Sequence, residues 1–160
     1  MILKPICEVS EKEIRSFSCG NGDLDNYFKR FASINDKNGY GKTFVLFDQK
    51  ELVGFFTLCS ASIKFEDIPI HHSLPKYPIP AIRIARLAVQ RDKQGKGYGK
   101  ELLKSAFLRI LSVSQNVGIR LILVDAKGSS ASFYEHYGFM KLKQDSLTYY
   151  LALDTLIEAL

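Results

Sequence analysis

Residues 82–111 read IRIARLAVQRDKQGKGYGKELLKSAFLRIL and carry the clearest structural signal in this 160-residue chain. The apolar and β-branched run at 82–89 predicts a buried strand, and apolar residues at three- and four-residue steps over 98–111 predict a long amphipathic helix. Three glycines alternate over residues 95–99, between the two elements. Because glycine adopts positive φ and lets a ligand approach the main chain, the stretch predicts a strand, a ligand-binding turn and a helix.

The turn has the properties of an anion site. Its main-chain N–H groups lie beside the positive end of the helix dipole, and Lys93, Lys96 and Lys100 add positive charge. This combination predicts binding of a phosphate or pyrophosphate group. The structural alternative, a glycine turn that only packs against a neighbouring element, stays open at this point.

Two common phosphate motifs fit the turn poorly. A P-loop needs a Lys-Ser or Lys-Thr pair after its last glycine, whereas Gly99 is followed by Lys100 and Glu101. The dinucleotide fingerprint Gly-x-Gly-x-x-Gly follows the first strand of a parallel unit, whereas this Gly-x-Gly-x-Gly lies beyond the middle of the chain. Both a nucleotidase and an NAD enzyme are therefore disfavoured.

Elements on both sides of this unit predict an α/β (α+β) fold with one domain over residues 1–160. A helix after Asn21 has an apolar stripe at three- and four-residue steps, and short apolar runs predict a hairpin, a buried strand, a second helix and two closing strands. The stripe comprises Leu24, Tyr27, Phe28, Phe31 and Ala32. The later elements are predicted at 43–47, 52–58, 119–124, 129–136, 139–142 and 147–153. Four prolines interrupt residues 65–81, which predicts a long connection bordering an acceptor site.

Composition agrees with one compact domain, because 46% of residues are hydrophobic and 24% are charged. A formal charge of +5 favours anionic partners. Three scattered cysteines indicate a reducing cytoplasm, and His71 with His72 is read as a solvated loop pair, so no metal is predicted. No leader and no apolar run of about 18 residues is present, so neither export nor membrane insertion is expected.

The segment Arg86-Leu87-Ala88-Val89, followed by Gln94-Gly95-Lys96-Gly97-Tyr98-Gly99, resembles the acetyl-coenzyme A motif of the GNAT superfamily of N-acetyltransferases. The resemblance implies a twisted mixed sheet of six to seven strands flanked by helices, with acetyl-CoA as cosubstrate. It also implies that main-chain amides of the turn hold the pyrophosphate and that the strand end pairs with pantetheine. The implied cofactor-binding residues are Leu87, Ala88, Val89, Gln94, Gly95, Lys96, Gly97, Tyr98, Gly99, Lys100, Lys127, Ser130 and Phe133.

A second motif, Phe133-Tyr134-Glu135-His136-Tyr137-Gly138-Phe139, is similar to a segment of the same family. The resemblance implies that the phenol of Tyr134 donates a proton or a hydrogen bond to the departing coenzyme A sulfur, which develops negative charge as it leaves. The structural alternative is a tyrosine packed in the core beside Phe133 and Phe139. Together with the glycine turn, the motif favours the catalytic interpretation.

The whole chain resembles a narrower group, the acetyltransferase toxins of type II toxin-antitoxin modules, which acetylate aminoacyl-tRNA. The residues that carry this likeness are 17–21, 24–25, 41–45, 53–58, 79–80 with 86–89, and 125–127. Gly128 and Ser130 depart from that pattern, although Tyr134 fits it. The resemblance implies aminoacyl-tRNA, a small antitoxin protein and a second copy of the chain as partners, all in the cytoplasm.

The amine that accepts the acetyl group is predicted from the absence of a carboxylate in the central strand. Residues 82–89 contain no Asp or Glu, whereas a lysine-like amine with a pKa of ~10.4 needs a base. An α-amino group starts at a pKa of ~7.7–8.0, and the adjacent ester of an aminoacyl-tRNA lowers it further, so that amine is already substantially neutral. The absence favours aminoacyl-tRNA, with Arg83 and Arg86 as substrate-binding residues that contact its phosphates. Two alternatives remain open: acetylation of a small amine or a protein N-terminus, and a noncatalytic module that binds RNA or senses coenzyme A.

Overall fold

The computed structural model describes residues 1–67, 77–144 and 146–158. Contacts divide the chain into two compact units: the first comprises Met1–Cys59 and Ala85–Arg109, and the second comprises Ser60–Ile84 and Ile110–Leu160. The single-domain boundary at 1–160 stays a prediction. His71, His72 and most of the proline-rich connection lie outside the described residues.

Within the described residues, seven strands form one mixed sheet in the order β1-β2-β3-β4-β5-β7-β6, which confirms the predicted fold class. The strands are β1 (Ile2–Pro5), β2 (Lys42–Asp48), β3 (Glu51–Ile63), β4 (Ile79–Val89), β5 (Leu121–Asp125), β6 (Met140–Lys141) and β7 (Thr148–Ala152). The helices are α1 (Glu11–Ser16), α2 (Gly22–Asn26), α3 (Ala32–Lys37), α4 (Tyr98–Ser114), α5 (Ser129–His136) and α6 (Leu153–Glu158). None of the helices in these ranges is long and apolar enough to cross a membrane.

The β2–β3 hairpin of the first unit forms as predicted. The two strands are antiparallel, with Thr43 opposite Thr57, and the two buried hydroxyls are 2.6 Å apart. This hydrogen bond satisfies polar groups that burial would otherwise leave unpaired.

The predicted helix after Asn21 forms in three segments instead of one. Asn21 caps α2 by accepting hydrogen bonds from the N–H groups of Asp23 and Leu24 at 3.0 and 3.2 Å. A π-helical turn at Tyr27–Phe31 then joins α2 to α3. The prediction that Phe31 belongs to the buried stripe is wrong, because Phe31 is 47% exposed while Ala32 is buried. A π-turn adds residues to one helical turn, so side chains after it no longer follow the 3.6-residue period.

The core of the first unit is built on three rings. Phe28 stacks on Phe55 with ring centroids 4.4 Å apart, and Phe17 contacts the same two rings at 4.9 and 5.4 Å. These contacts fix the helical segment at 22–37 against β3, and each aromatic pair adds about 0.5–1.5 kcal/mol beyond its buried area.

In the second unit, β4 and β5 run parallel from Ala81 with Leu121 to Ile84 with Val124. β7 pairs antiparallel with β5, and β6 pairs with β7. The strand predicted at 147–153 forms over Thr148–Ala152; Leu147 precedes it, and Leu153 begins α6. The helix predicted at 129–136 coincides with α5.

Candidate functional site

The glycine turn connects β4 to α4 after a short 3-10 turn at Arg91–Lys93. Gly95 and Gly97 have φ values of 75° and 87°, in the left-handed region that side chains rarely adopt. Apart from the neighbouring residues in sequence, no atom of the described residues lies within 4 Å of the position that a Cβ would take at either glycine. Backbone conformation, not crowding, therefore requires glycine at both positions, and the surface of the turn is open to a ligand.

The main-chain amides of the turn are available donors. In residues 1–67, 77–144 and 146–158, the N–H groups of Gly95 to Lys100 form no main-chain hydrogen bond, and Glu101 is the next donor, bonding to Gly97 O at 3.4 Å. The N–H of Gln94, predicted to belong to the same set, donates instead to Arg91 O at 3.3 Å. Free amides at the start of a 17-residue helix fit a diphosphate.

The side chain of Gln94 holds the turn in place. Its Nε2 donates to Cys19 O at 2.7 Å and to Val89 O at 3.0 Å. One amide group thereby ties the glycine turn both to the end of β4 and to the segment after Phe17. Gln94 was predicted as a cofactor contact, and its observed bonds point to an indirect contribution through the turn.

The segment at Ser18–Gly20 provides further main-chain support. The N–H of Arg91 donates to Ser18 O at 2.7 Å, and the N–H of Ser18 donates to Gln90 Oε1 at 3.1 Å. Gly20 has a φ of 88°, and a Cβ there would lie 3.1 Å from a guanidinium nitrogen of Arg91. These bonds explain why the motif at 17–21 accompanies a glycine turn more than 70 residues away in sequence.

The side chains that flank the turn differ in whether they are exposed or contact a carboxylate. Lys96 and Lys100 are exposed, whereas Lys93 forms an ion pair with Glu51, which offsets the positive charge that Lys93 was predicted to add for the ligand. A hydrogen bond with Glu51 raises the pKa of Lys93, so the ammonium group keeps its charge. The hydroxyl of Tyr98 donates a hydrogen bond to Asp48 Oδ2 at 2.6 Å. The side chain of Tyr98 is therefore engaged, and its main-chain N–H is the group that could bind the ligand.

Positive charge is concentrated around this turn. Residues 85–109 contain seven of the 22 Lys and Arg residues but only two of the 17 acidic residues, which leaves fifteen of each sign elsewhere. The whole formal charge of +5 therefore comes from the end of β4, the turn and the first part of α4. Such a local excess attracts an anionic ligand at long range.

The end of β4 is packed tightly against β3. A Cβ at Gly54 would lie 2.3 Å from Ala88 O and 2.7 Å from Leu102 Cδ1. Only glycine allows this approach, so Gly54 determines where the main chain of Ala88 and Val89 lies. Leu87 and Val89 are half-buried, and Ala88 is buried.

The two predicted substrate arginines differ in their surroundings. The guanidinium of Arg86, in the first unit, lies 4.0 Å from the ring centroid of Tyr27, and no carboxylate of the described residues lies within 4.0 Å of it. In the second unit, Arg83 Nη1 lies 2.8 Å from Asp125 Oδ2, an ion pair without hydrogen-bond geometry. Asp125 also accepts a hydrogen bond from Thr148 Oγ1 at 2.7 Å.

Tyr134 lies on α5 in the second unit and is only 7% exposed. Its ring contacts those of Phe133 and Phe139 at 5.1 and 5.4 Å. Burial raises the pKa of the phenol well above its ordinary value, so the hydroxyl keeps its proton throughout the physiological range. Within the described residues, that hydroxyl forms no hydrogen bond. The phenol therefore carries the proton that a hydrogen bond or a proton transfer to a leaving group requires.

Backbone bonds at both ends of α5 fix Tyr134. Gly138 has a φ of 96°, and the N–H of Phe139 donates to Tyr134 O at 3.2 Å, which closes the helix in a Schellman-type cap. At the other end, Gly128 has a φ of 62° and its carbonyl accepts from Ala131 N at 3.1 Å. The departure from the family pattern at Gly128 thus coincides with a backbone conformation that favours glycine.

The remaining predicted residues of the second unit lie on or next to α5. Lys127 and Ser130 are exposed, and Phe133 is half-buried. Their predicted contacts with coenzyme A remain predictions. No group of three or more metal-ligating side chains occurs in the part of the chain that the structure describes.

Comparison with known proteins identifies the family to which the chain belongs. Residues 39–141 match the acetyltransferase (GNAT) domain family, so the chain belongs to that family. The predicted acetyltransferase class and acetyl-CoA as cosubstrate are thereby confirmed.

Individual relatives narrow the comparison. A tRNA-acetylating toxin of Mycobacterium tuberculosis (strain ATCC 25618 / H37Rv) is 37% identical over 130 residues, which cover 79% of this chain and 78% of that protein. The structure of AtaT complexed with acetyl-methionyl-tRNAfMet matches with a TM-score of 0.87 and 21% identity, covering 99% of this chain and 98% of the other. The crystal structure of AtaTR bound with acetyl-CoA matches with a TM-score of 0.84 and 21% identity, covering 99% of this chain and 96% of the other. The predicted resemblance to these toxins is confirmed, and the two structures establish a shared fold.

Proposed function

We propose that this protein transfers the acetyl group of acetyl-CoA to the α-amino group of aminoacyl-tRNA. The observation that carries the proposal is the 37% identity, over most of the chain, to a tRNA-acetylating toxin. The likeness in fold to a toxin solved with acetyl-methionyl-tRNAfMet supports the same acceptor.

The cosubstrate would be held mainly by main-chain groups. The amides of Gly95 to Lys100 fit its diphosphate, and the exposed ammonium groups of Lys96 and Lys100 supply charge. The strand end at 87–89 would pair with pantetheine as an added strand. Lys127, Ser130 and Phe133 would complete the contacts with coenzyme A.

The reaction supported by these residues is direct transfer. The neutral amine attacks the thioester carbonyl, an N–C bond forms, and the C–S bond breaks. Tyr134 donates its phenolic proton to the departing sulfur, and the proton lost by the amine restores the phenol through solvent. Burial raises the pKa of the Cys19 thiol, which opposes its use as a covalent acetyl carrier.

The carboxylates near β4 favour an acceptor that needs no strong base. β4 contains no Asp or Glu, and Asp125 on the adjacent β5 is paired with Arg83 and hydrogen-bonded by Thr148. An α-amino group has a pKa of ~7.7–8.0 and is partly neutral at physiological pH, whereas a lysine-like amine at ~10.4 is not. This difference supports an aminoacyl group over a polyamine.

Of the two predicted substrate residues, Arg86 is the better candidate for binding a phosphate. Its guanidinium is fixed over Tyr27 and has no carboxylate partner in the described ranges, whereas Arg83 is already paired with Asp125. Removing one cation that binds a phosphate should lower the slope of the salt dependence of tRNA binding by about one unit. Arg86→Gln should therefore flatten the salt dependence more than Arg83→Gln.

The acceptor is tested with purified protein and labelled acetyl-CoA. Charged tRNA should gain label and uncharged tRNA should not, and Tyr134→Phe should abolish most of the labelling. Equal labelling of both tRNAs would contradict an α-amine acceptor. Rapid acetylation of a polyamine or a protein N-terminus without tRNA labelling would favour the other acetyltransferase assignment.

In the cell, we propose that the protein acts in the cytoplasm as a toxin that blocks translation and that a small antitoxin protein neutralises it. Expression of the parent chain should arrest growth, expression of the Tyr134→Phe variant should not, and the aminoacyl-tRNA pool should be acetylated only in the first case. A homodimer is a further proposal, which sedimentation of the purified protein would test.

A further inference from the structure

One tight turn places a carboxylate against each flank of the glycine turn. Asp48 and Glu51 form the last residue pair of the β2–β3 hairpin. Asp48 accepts the hydrogen bond from Tyr98, the first residue of α4, and Glu51 pairs with Lys93, the last residue of the preceding 3-10 turn. The two contacts therefore enclose residues 94–97.

The hairpin turn itself has an unusual backbone. Gln49 and Lys50 have φ values of 50° and 69°, although neither is glycine. Two consecutive residues with positive φ are typical of a tight turn between twisted strands, where glycine or asparagine is preferred. Pairing on both strands fixes this turn, so the two carboxylates have defined positions.

The side chains on the glycine-turn side of the two contacts are partly enclosed, whereas the Glu51 side chain is 65% exposed. The side chain of Lys93 is only 19% exposed, and Tyr98 is half-buried. The hydrogen bond to Asp48 raises the pKa of the Tyr98 phenol, so it remains a donor at physiological pH. A charge-assisted bond to a carboxylate has roughly twice the strength of a neutral one.

We propose that Asp48 and Glu51 are positioning residues for the acyl donor: they fix the two flanks of the glycine turn so that the amides of Gly95 to Lys100 face the donor's diphosphate before it binds. This inference rests on the proposed site for acetyl-CoA. Preorganised donors bind an anion more tightly because no ordering is needed on binding.

The pairing has a second consequence for an anionic ligand. A carboxylate beside the turn repels a diphosphate; the ammonium group of Lys93 offsets the charge of Glu51, and the hydrogen bond from Tyr98 disperses part of the charge of Asp48. Tyr98→Phe therefore both loosens the turn and leaves Asp48 without its donor. Adding Asp48→Asn to Tyr98→Phe removes the repulsion, so the double variant should bind coenzyme A more tightly than Tyr98→Phe alone.

A comparison of two acyl donors distinguishes a specific effect on diphosphate binding from a general loss of active structure. Acetyl-pantetheine lacks the diphosphate that acetyl-CoA carries. Tyr98→Phe and Asp48→Ala should lower kcat/KM for acetyl-CoA about five- to tenfold, through KM, and leave kcat/KM for acetyl-pantetheine unchanged. Asp48→Asn, which keeps an acceptor oxygen, should retain most of the activity. Ser114→Ala, which removes a 2.6 Å hydrogen bond to Leu111 O at the other end of α4, is the matched control.

Equal losses with both donors, or no loss with acetyl-CoA, would overturn the inference. The dissociation constant of coenzyme A, measured by calorimetry, gives a readout that does not depend on transfer. If the parent protein binds coenzyme A but acetylates no acceptor, the proposed function fails, and the affinity of Tyr98→Phe still tests the inference. Unchanged affinity in that variant would contradict it.

Discussion

The two units carry their functional groups in different ways. In the first unit, the candidate site is made of main-chain amides, and its side chains mostly hold the turn from behind, as Gln94 and Tyr98 do. In the second unit, it is a single side chain, Tyr134, surrounded by apolar rings. The first arrangement depends on backbone conformation, and the second depends on one hydroxyl group.

This difference determines which substitutions matter in each unit. A main-chain site tolerates changes of exposed side chains but not a Cβ at a position with positive φ. A single phenol tolerates changes in its flanking residues that keep it buried, but not loss of its oxygen. Substitutions at glycines and at Tyr134 therefore test the two halves of the comparison separately.

The largest effect is expected at Tyr134. Tyr134→Phe keeps the ring contacts and removes the proton donor, so kcat should fall about 100- to 1,000-fold. The dissociation constant of coenzyme A, measured by calorimetry, should stay within about twofold of the parent value. Tyr137→Phe, in the same motif, is the control and should retain activity; equal losses in both variants would assign a structural role to the hydroxyls.

The next largest effect is expected at Gly54. A methyl group there would meet Ala88 O and Leu102 Cδ1, so Gly54→Ala should lower the free energy of unfolding by about 2–3 kcal/mol. Chemical denaturation measures this change. Gly118→Ala is the control, because in the part of the chain that the structure describes no atom beyond its two neighbours in sequence lies within 4 Å of its Cβ position. Similar stability of the two variants would show that the end of β4 moves away from β3 at little cost.

A smaller effect on stability is expected at Gly97. Its φ of 87° makes Gly97→Ala strained by about 1–2 kcal/mol, although space for the methyl group is free. Because the strain is relieved by turning the amides, the affinity for coenzyme A should fall together with the melting temperature. Lys96→Ala removes only an exposed side chain and should weaken binding less. The reverse order would mean that charge, not main-chain geometry, dominates the site.

The smallest effect is a gain in stability at the hairpin turn. Replacing Gln49 by Asn and Lys50 by Gly suits the positive φ values, so the double variant should be about 1 kcal/mol more stable than the parent. Thermal denaturation measures the gain. Because Asp48 and Glu51 are unchanged, the affinity for coenzyme A should not fall. Lower affinity would show that the strained turn itself contributes to binding.

Much of the fold was predictable where local signals were strong. Short runs of aromatic and β-branched residues around a turn predicted the hairpin, and three- and four-residue apolar steps predicted α4. The capping box of α1 was also present in the sequence, as Ser10 with Glu13, but only the structure identified that helix. Phe31 was misassigned because a π-turn is a change in backbone hydrogen bonding that no apolar period reveals.

The sequence predicted the main-chain part of the candidate site, the glycine turn, better than the side-chain contacts around it. Closely spaced glycines indicate backbone with positive φ, so the glycine turn was predicted from the sequence. The contacts of Asp48 with Tyr98, Glu51 with Lys93 and Asp125 with Arg83 join residues that are 42 or more positions apart. Only the strand register and the packing of the elements bring such pairs together. For the same reason, the sequence did not distinguish Arg83 from Arg86.

The most direct test of the central claim is a crystal structure of this protein with coenzyme A. The main-chain N–H groups of Gly95 to Lys100 should lie about 2.7–3.2 Å from diphosphate oxygens, with Gln94 still bonded to Cys19 and Val89. A diphosphate held instead by lysine side chains, with those amides facing solvent, would contradict the account.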